Sequence, residues 1–454
     1  MGYPALERPV PKLGKRPLGL EINGPAVPAG RYEPGTPGFR YWTAAESLRR
    51  GADFWAPILG LRRWQPGATL PVGLDEGNDL NAYYDRSQLA FFHATAGGKT
   101  VYSGESPDVA CHELGHACLD AHRPELWDAP FLEVGAFHES FGDMSAILSA
   151  LQLPTVRAAA LKALKQRKPS ELTRVAEQLG WAIRQTQPDD VDQDSLRNAW
   201  NSFEYVDSNT LPDYAPAKSL CAEVHSFSRV FTGAFYDALS GMLRLRTGKP
   251  TSADLAAVAK DLGRLLGDAT RAAPVAPNYF AQVSAHLVDA DAARFDGEYR
   301  TALVKAFVDR KLISRTAVAS VAAVPGATRK EAARFAAARM LRPPAPRIEV
   351  VEVDAKEFGL DGRPLHLDVP VEHKPARTVS VAITQPQPHE DPAVEKAARR
   401  FVAALFAHRR VAVETRQRTG AAPEERERRR HTHAVVETKD ALKLVRRRFD
   451  CGHG

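Results

Sequence analysis

At 454 residues, 44% hydrophobic and 26% charged, the chain is long enough for two or three domains with real cores and is ordinary in composition for a globular protein. No run approaches the roughly 18 apolar residues of a membrane span, and four cysteines (Cys111, Cys118, Cys221, Cys451) are too few for a disulfide framework at this size. Residues 401–454 hold 13 Lys and Arg against 7 Asp and Glu, which equals the whole net charge of +6, so the basic character belongs to that stretch and not to the rest.

The opening arm, residues 1–40, is rich in Pro and Gly and reads as loop to about Phe39. It lacks the apolar core of a secretory signal, so the expectation is a cytoplasmic protein or one exported by another route. Thr43 reads as the cap of a helix from Ala44 to about Leu59. Thr69 to Leu74, Asn81 to Asp85 and Gln88 to Phe92 read as strands. Two helices follow, around His112 and around Glu139, separated by a loop containing Pro124 and Pro130. Pro154 to Thr186 is helical and basic in pattern, and His225–Leu243, Ser252–Leu266 and Tyr279 to about Leu312 are long helical stretches. Beyond Ser314 come a basic amphipathic helix at Arg329–Leu341, strands at Arg347–Val353 and Thr378–Ile383, a helix from Pro392 to His408, and a charged loop at Glu424–Arg430. The expected fold class is α+β: residues 41–150 form a mixed lobe, 151–315 a helical lobe meeting it at the site, and 316–454 a separate small basic α+β unit of unassigned role.

The chemistry lies in Ala110-Cys111-His112-Glu113-Leu114-Gly115-His116. His112 and His116 are four apart, so on a helix both imidazoles leave one face about one turn apart. That is what one Zn²⁺ requires of two ligands at roughly 2.0–2.1 Å. Glu113 lies about 100° round the helix, within reach of a metal-bound water without binding the metal itself. HExxH alone also fits a solvated helical face. Glu139 and Asp143 repeat the four-residue spacing, so a second helix can supply Glu139 as third ligand and Asp143 as acceptor of a ligating imidazole's other N–H. His122 stands ten residues after His112, but Leu119 occupies the place where a rival zinc geometry needs Gly, and His122 reads as a surface or helix-end histidine. Cys111 and Cys118 read as buried free thiols.

Together these residues resemble thermolysin and its gluzincin relatives over roughly residues 45–315. Besides the two metal motifs, Asn81-Ala82-Tyr83-Tyr84 with Ser87-Gln88 resembles that family's edge strand, which pairs with substrate peptide. Asp194-Ser195-Leu196-Arg197 resembles the segment whose Arg holds the substrate carbonyl and whose Leu lines the specificity pocket. Val224-His225 with Ser228, Ala234 and Tyr236 resembles the segment carrying the second catalytic His, although a capping or core role also suits His225 alone. The resemblance implies a two-lobed thermolysin-like fold and a zinc endopeptidase with one Zn²⁺ per chain. His112, His116 and Glu139 would be ligands, Glu113 and His225 catalytic, and Asn81, Ala82, Leu196 and Arg197 would touch a protein or peptide substrate. Three departures qualify it. Leu220 stands where an Asp orients the second His, leaving Glu223 or nothing. The interval between His116 and Glu139 holds Trp127 but no Tyr. The acidic calcium-binding cluster is reduced to Asp108, so calcium is not expected. These departures motivate the alternative of a catalytically degenerate zinc scaffold acting through residues 316–454. No membrane and no nucleic-acid partner is expected, although Val324–Lys330 faintly suggests a hairpin.

Overall fold

A computed structural model describes residues 8–166, 168–246, 249–314, 340, 345–360, 362–371, 391–414 and 431–452. The expected segments at 329–341, 378–383 and 424–430, and the 324–330 pattern, lie outside the described residues, apart from Met340. The chain is α+β, 48% helical and 16% strand.

In order come β1 (Gly19–Ile22), α1 (Pro37–Leu59), β2 (Thr69–Gly73), β3 (Ala82–Tyr84), β4 (Leu89–Phe91), β5 (His93–Ala96) and β6 (Lys99–Tyr102). Then follow α2 (Pro107–His122), α3 (Leu132–Ala150), α4 (Pro154–Gln166), β7 (Arg174–Val175), α5 (Glu177–Arg184) and β8 (Arg197–Asn198). The long helices are α6 (Val224–Arg246), α7 (Ser252–Ala272), α8 (Tyr279–Phe295) and α9 (Arg300–Asp309). Last come β9 (Arg347–Asp354), β10 (Pro364–Val371), α10 (Asp391–Ala407), β11 (Val411–Glu414), β12 (His433–Glu437), β13 (Leu442–Arg446) and β14 (Phe449–Asp450).

Four boundaries correct the sequence reading. Helix α1 begins at Pro37, because the Thr36 side chain accepts the Phe39 N–H and Pro37 is pre-set for a first turn; Thr43 lies inside the helix. It ends at Gly60, whose φ of 66° is the left-handed cap that glycine adopts without strain. The opening arm is not all loop, since Gly19–Ile22 pairs in parallel with Thr69–Val72. The 154–186 stretch divides into α4, the short β7 and α5, with Ala176 at positive φ between the last two. Residues 279–312 form two helices, broken at Asp296 and Gly297, both at positive φ.

The first sheet runs β1-β2-β4-β3-β14 and the second β11-β12-β13-β10-β9. β14 is thus the outer strand of the sheet in the first lobe, although it follows the strands of the second sheet in the chain. The expected separate unit is therefore separate only in part: residues 449–450 leave it and pair antiparallel with Tyr83 and Tyr84.

Helix α3 is buried on nearly every face, its polar residues Glu133, His138, Glu139 and Asp143 along with its apolar ones. α2 crosses it closely because Gly115 and Gly142 meet: a Cβ on Gly115 would come within 2.9 Å of the Gly142 Cα. α1 covers the pair, with Trp55 stacked on Phe141 at 4.9 Å and its Nε1 donating to Ser145 Oγ at 3.0 Å. Rings buried like Phe141 each stabilise the fold by about 1.5–3 kcal/mol. No single helix among the described residues is long and apolar enough to cross a membrane.

Candidate metal centre and cleft

Helix α2 presents His112 and His116 from one face, and α3 presents Glu139 opposite them; all three are at most 1% exposed. The two Nε2 atoms lie 3.1 Å apart, His112 Nε2 is 3.2 Å from Glu139 Oε2, and His116 Nε2 is 3.7 Å from Glu139 Oε1. Ligand bonds of about 2.05 Å in a tetrahedron would set neighbouring donors about 3.3 Å apart. His112 Nδ1–H donates to Asp143 Oδ1 at 2.9 Å, which turns its Nε2 lone pair toward the cluster. Neither Glu139 oxygen receives a well-aligned hydrogen bond among the described residues, and a buried carboxylate without such donors is costly. The three groups together can hold a metal ion.

Asp143 is itself gripped by Arg197, whose Nε and Nη2 donate to its two oxygens at 3.1 and 2.9 Å. Burial works to raise the Asp143 carboxyl, but Arg197 and His112 outweigh it and hold the group well below the usual carboxylate range. Arg197 reaches this spot from β8, which pairs with β7. Its Nη1 is buried and accepted by no partner atom. Leu196, next to Arg197, is 2% exposed and packs in the hydrophobic core cluster.

Glu113 is fully buried, and burial pushes its carboxyl up to about 8 against the lowering effects of His112 and of a hydrogen bond from Cys451. His225, from the first turn of α6, lies 3.3 Å from Glu139 Oε2. Its Nδ1 bonds Glu223 Oε1 at 2.6 Å, which puts Glu223 in the orienting place left empty by Leu220. Its Nε2 meets the Asp450 carbonyl at 2.6 Å. Both partners accept only, so both ring nitrogens donate and the ring is an imidazolium. Burial opposes that charge, but Glu139 and Glu223 outweigh it and raise His225 to about 9.

The cleft side of the cluster is lined by the segment after β13, which the sequence reading did not connect with the site. Cys451 N–H donates to Ala82 O at 2.9 Å, and Gly452 N–H donates to Asn81 Oδ1 at 2.8 Å. Cys451 Sγ donates to Glu113 Oε1 at 2.7 Å and groups with His112 and Glu113 as a second set of possible metal donors. The Phe449 ring stacks on His138 at 3.9 Å and on His116 at 4.8 Å. Asn81 and Ala82 are therefore at the edge where substrate pairing is expected, and they hold this segment. The available sequence signal is a soft donor, Cys451, with no partner cysteine nearby in the chain.

Other residues stand apart. His122 is at the helix end as expected, but it is buried and its Nε2 bonds Gly267 O at 3.1 Å instead of facing solvent. Asp108 receives the Ala176 N–H at 2.5 Å and serves to join α2 to the start of α5. Trp127 packs edge-on against Tyr84 and Phe449. All four cysteines are buried free thiols.

A scan against models of known protein families finds none that matches the chain, and a search of curated proteins finds no significant match.

Proposed function

We propose that the chain is a zinc-dependent endopeptidase of the thermolysin-like, gluzincin kind, with His112, His116 and Glu139 holding the metal. The observation that carries this reading is the convergence of two imidazoles and one buried, unsatisfied carboxylate at tetrahedral spacing, with a separate carboxylate, Glu113, beside them. When bound, Zn²⁺ supplies Lewis-acid polarisation of a peptide carbonyl and lowers the pKa of water to about 7.

The chain's own residues do the rest. Glu113 takes a proton from the attacking water and delivers it to the leaving amine; acid–base help of this kind is worth about 10²–10⁴-fold. The desolvated site around it suits that shuttling, because burial already brings its carboxyl up to about 8. His225, held by Glu223, donates through Nε2 to a substrate carbonyl, as it does here to Asp450 O, and stabilises the charge that develops there. Asp143 and Arg197 fix the His112 ring, and Asn81 with the Ala82 carbonyl pair the substrate backbone in strand fashion.

The test combines metal analysis with digestion of a blocked peptide. About one zinc per chain, hydrolysis abolished by a chelator, and a 10²–10⁴-fold fall for Glu113→Gln are expected. Absence of zinc, or full hydrolysis by Glu113→Gln, refutes the reading. A metal-holding scaffold without catalysis is favoured by the filling of the cleft by the chain's own residues and by the lack of a Tyr between His116 and Glu139.

A further inference from the structure

We infer that the cleft holds an aromatic-binding subsite, made by His138, Trp127 and Arg446 around the place that Phe449 fills, and that the substrates are peptides with an aromatic residue at the matching position, an inference that rests on the peptidase reading. Strand β14 shows what a chain in this place meets. It pairs antiparallel with Tyr83 and Tyr84 as the outer strand of the first sheet. The residues after it take up the Ala82 carbonyl and Asn81 Oδ1, the backbone partners that a substrate strand requires. β14 therefore marks the track that a substrate follows.

Residues two apart on a strand share a face. Phe449 and Cys451 both turn toward α2, where the ring meets His116 and the sulfur meets Glu113. The carboxylate of Asp450, between them, pairs instead with Arg410 at 3.3 Å. A side chain at the Phe449 position thus stands about 7 Å along the strand, two residues before the one that faces Glu113.

The surroundings of that position suit a flat ring. Phe449, 1% exposed, stacks on His138 at 3.9 Å and on His116 at 4.8 Å, each with 16° between the planes. Trp127 meets it edge-on at 5.3 Å. The Arg446 guanidinium covers it at 4.0 Å, and its Nε donates to the Trp127 carbonyl at 2.7 Å. Stacking, edge-on packing and cation–π attraction all require an aromatic ring, and an aliphatic side chain of equal volume gives up all three. His138 and Trp127 come from α3 and the loop before it, so these walls belong to the cleft and not to the unit that carries β14.

The test compares full zinc-loaded chains, native and Phe449→Ala, in which the chain's own ring no longer fills the subsite. Phe449→Leu, a milder change, guards against a folding defect in the alanine variant. The substrates are blocked peptides that differ in one residue at a time, with the products sequenced. Phe, Tyr or Trp at one fixed position before the cut should give at least about tenfold higher kcat/KM than Ala there. Phe449→Ala should cleave the aromatic peptides faster than the native chain does. Trp127→Phe should keep most of the preference and Trp127→Ala lose most of it, at unchanged zinc per chain. Binding of labelled peptides to a Phe449→Ala chain that also carries Glu113→Gln, followed by fluorescence anisotropy, gives a readout free of hydrolysis. Cleavage without aromatic preference at any position, or a preference as strong in Trp127→Ala, overturns the subsite and leaves the peptidase reading standing. Tighter binding of aromatic peptides with no cleavage by any chain defeats the peptidase reading while the subsite holds. Equal binding of aromatic and alanine peptides, with no cleavage, defeats both.

Discussion

Asp143 shows how much one residue fixes. It takes the His112 Nδ1–H on one oxygen and both reaching nitrogens of Arg197, so it sets the tautomer of His112 and neutralises a buried guanidinium together. Losing the carboxylate leaves Arg197 charged and uncompensated in a dry site, an arrangement that typically destabilises by about 3–5 kcal/mol. Asp143→Asn keeps the shape and one acceptor, and it should weaken metal affinity by about 10–100-fold, read by competition with a chelator. An affinity equal to the native chain's would show that His112 needs no such orientation. Glu139 depends on less: neither of its buried oxygens has a well-aligned hydrogen-bond donor among the described residues, and with His112 and His116 it could hold a metal ion.

At the scale of elements, the site exists because α2 and α3 approach more closely than ordinary side chains permit. Gly142 on α3 faces the His112 ring, and a Cβ there would lie 2.5 Å from His112 Nδ1. Gly142→Ala must push the imidazole off Asp143 or separate the helices. The expected result is loss of metal together with destabilisation of about 1–3 kcal/mol from overpacking, measured as a lowered urea midpoint and reduced zinc per chain. A variant with native midpoint and full zinc would mean that the crossing is looser than drawn. Gly142 carries no such information in the sequence by itself; a glycine in a helix normally weakens it by about 1 kcal/mol relative to Ala, and only the crossing explains its presence.

The whole molecule is held together across its lobes by buried polar ties, and one of them makes stability depend on pH. Glu133 at the start of α3 accepts the Tyr205 hydroxyl at 2.7 Å and the Phe280 N–H of α8 at 2.9 Å. Burial outweighs both donors and raises its carboxyl from 4.5 to about 8. The folded state therefore holds a proton that the unfolded chain releases, so the contribution of this group to stability is full below about pH 4.5 and is lost as pH rises toward 8. Glu133→Gln should flatten the slope of unfolding free energy against pH in that window by up to a few kcal/mol in total. An unchanged slope in urea titrations at pH 5 and 8.5 would remove Glu133 from the account.

Some of this was legible in letters alone. Spacing of four places two side chains on one helix face whatever the surroundings, so His112, His116, Glu139 and Asp143 could be grouped before any fold was known. Helix starts were misread where two signals competed, as at Thr36-Pro37 against Thr43, because capping is decided by which side chain meets a free N–H. Leu196 and Arg197 came as a pair in sequence, yet it took the fold to set Arg197 on Asp143 and Leu196 in the core cluster. Cys451 lies 338 residues from Glu113, and no periodicity reaches that far. What the sequence by itself determined is therefore the local set of donors, which follows from helical repeat. Which distant strand fills the edge beside Ala82, and whose sulfur stands before Glu113, only the tertiary structure decided, because strand pairing and burial are settled by the folded whole.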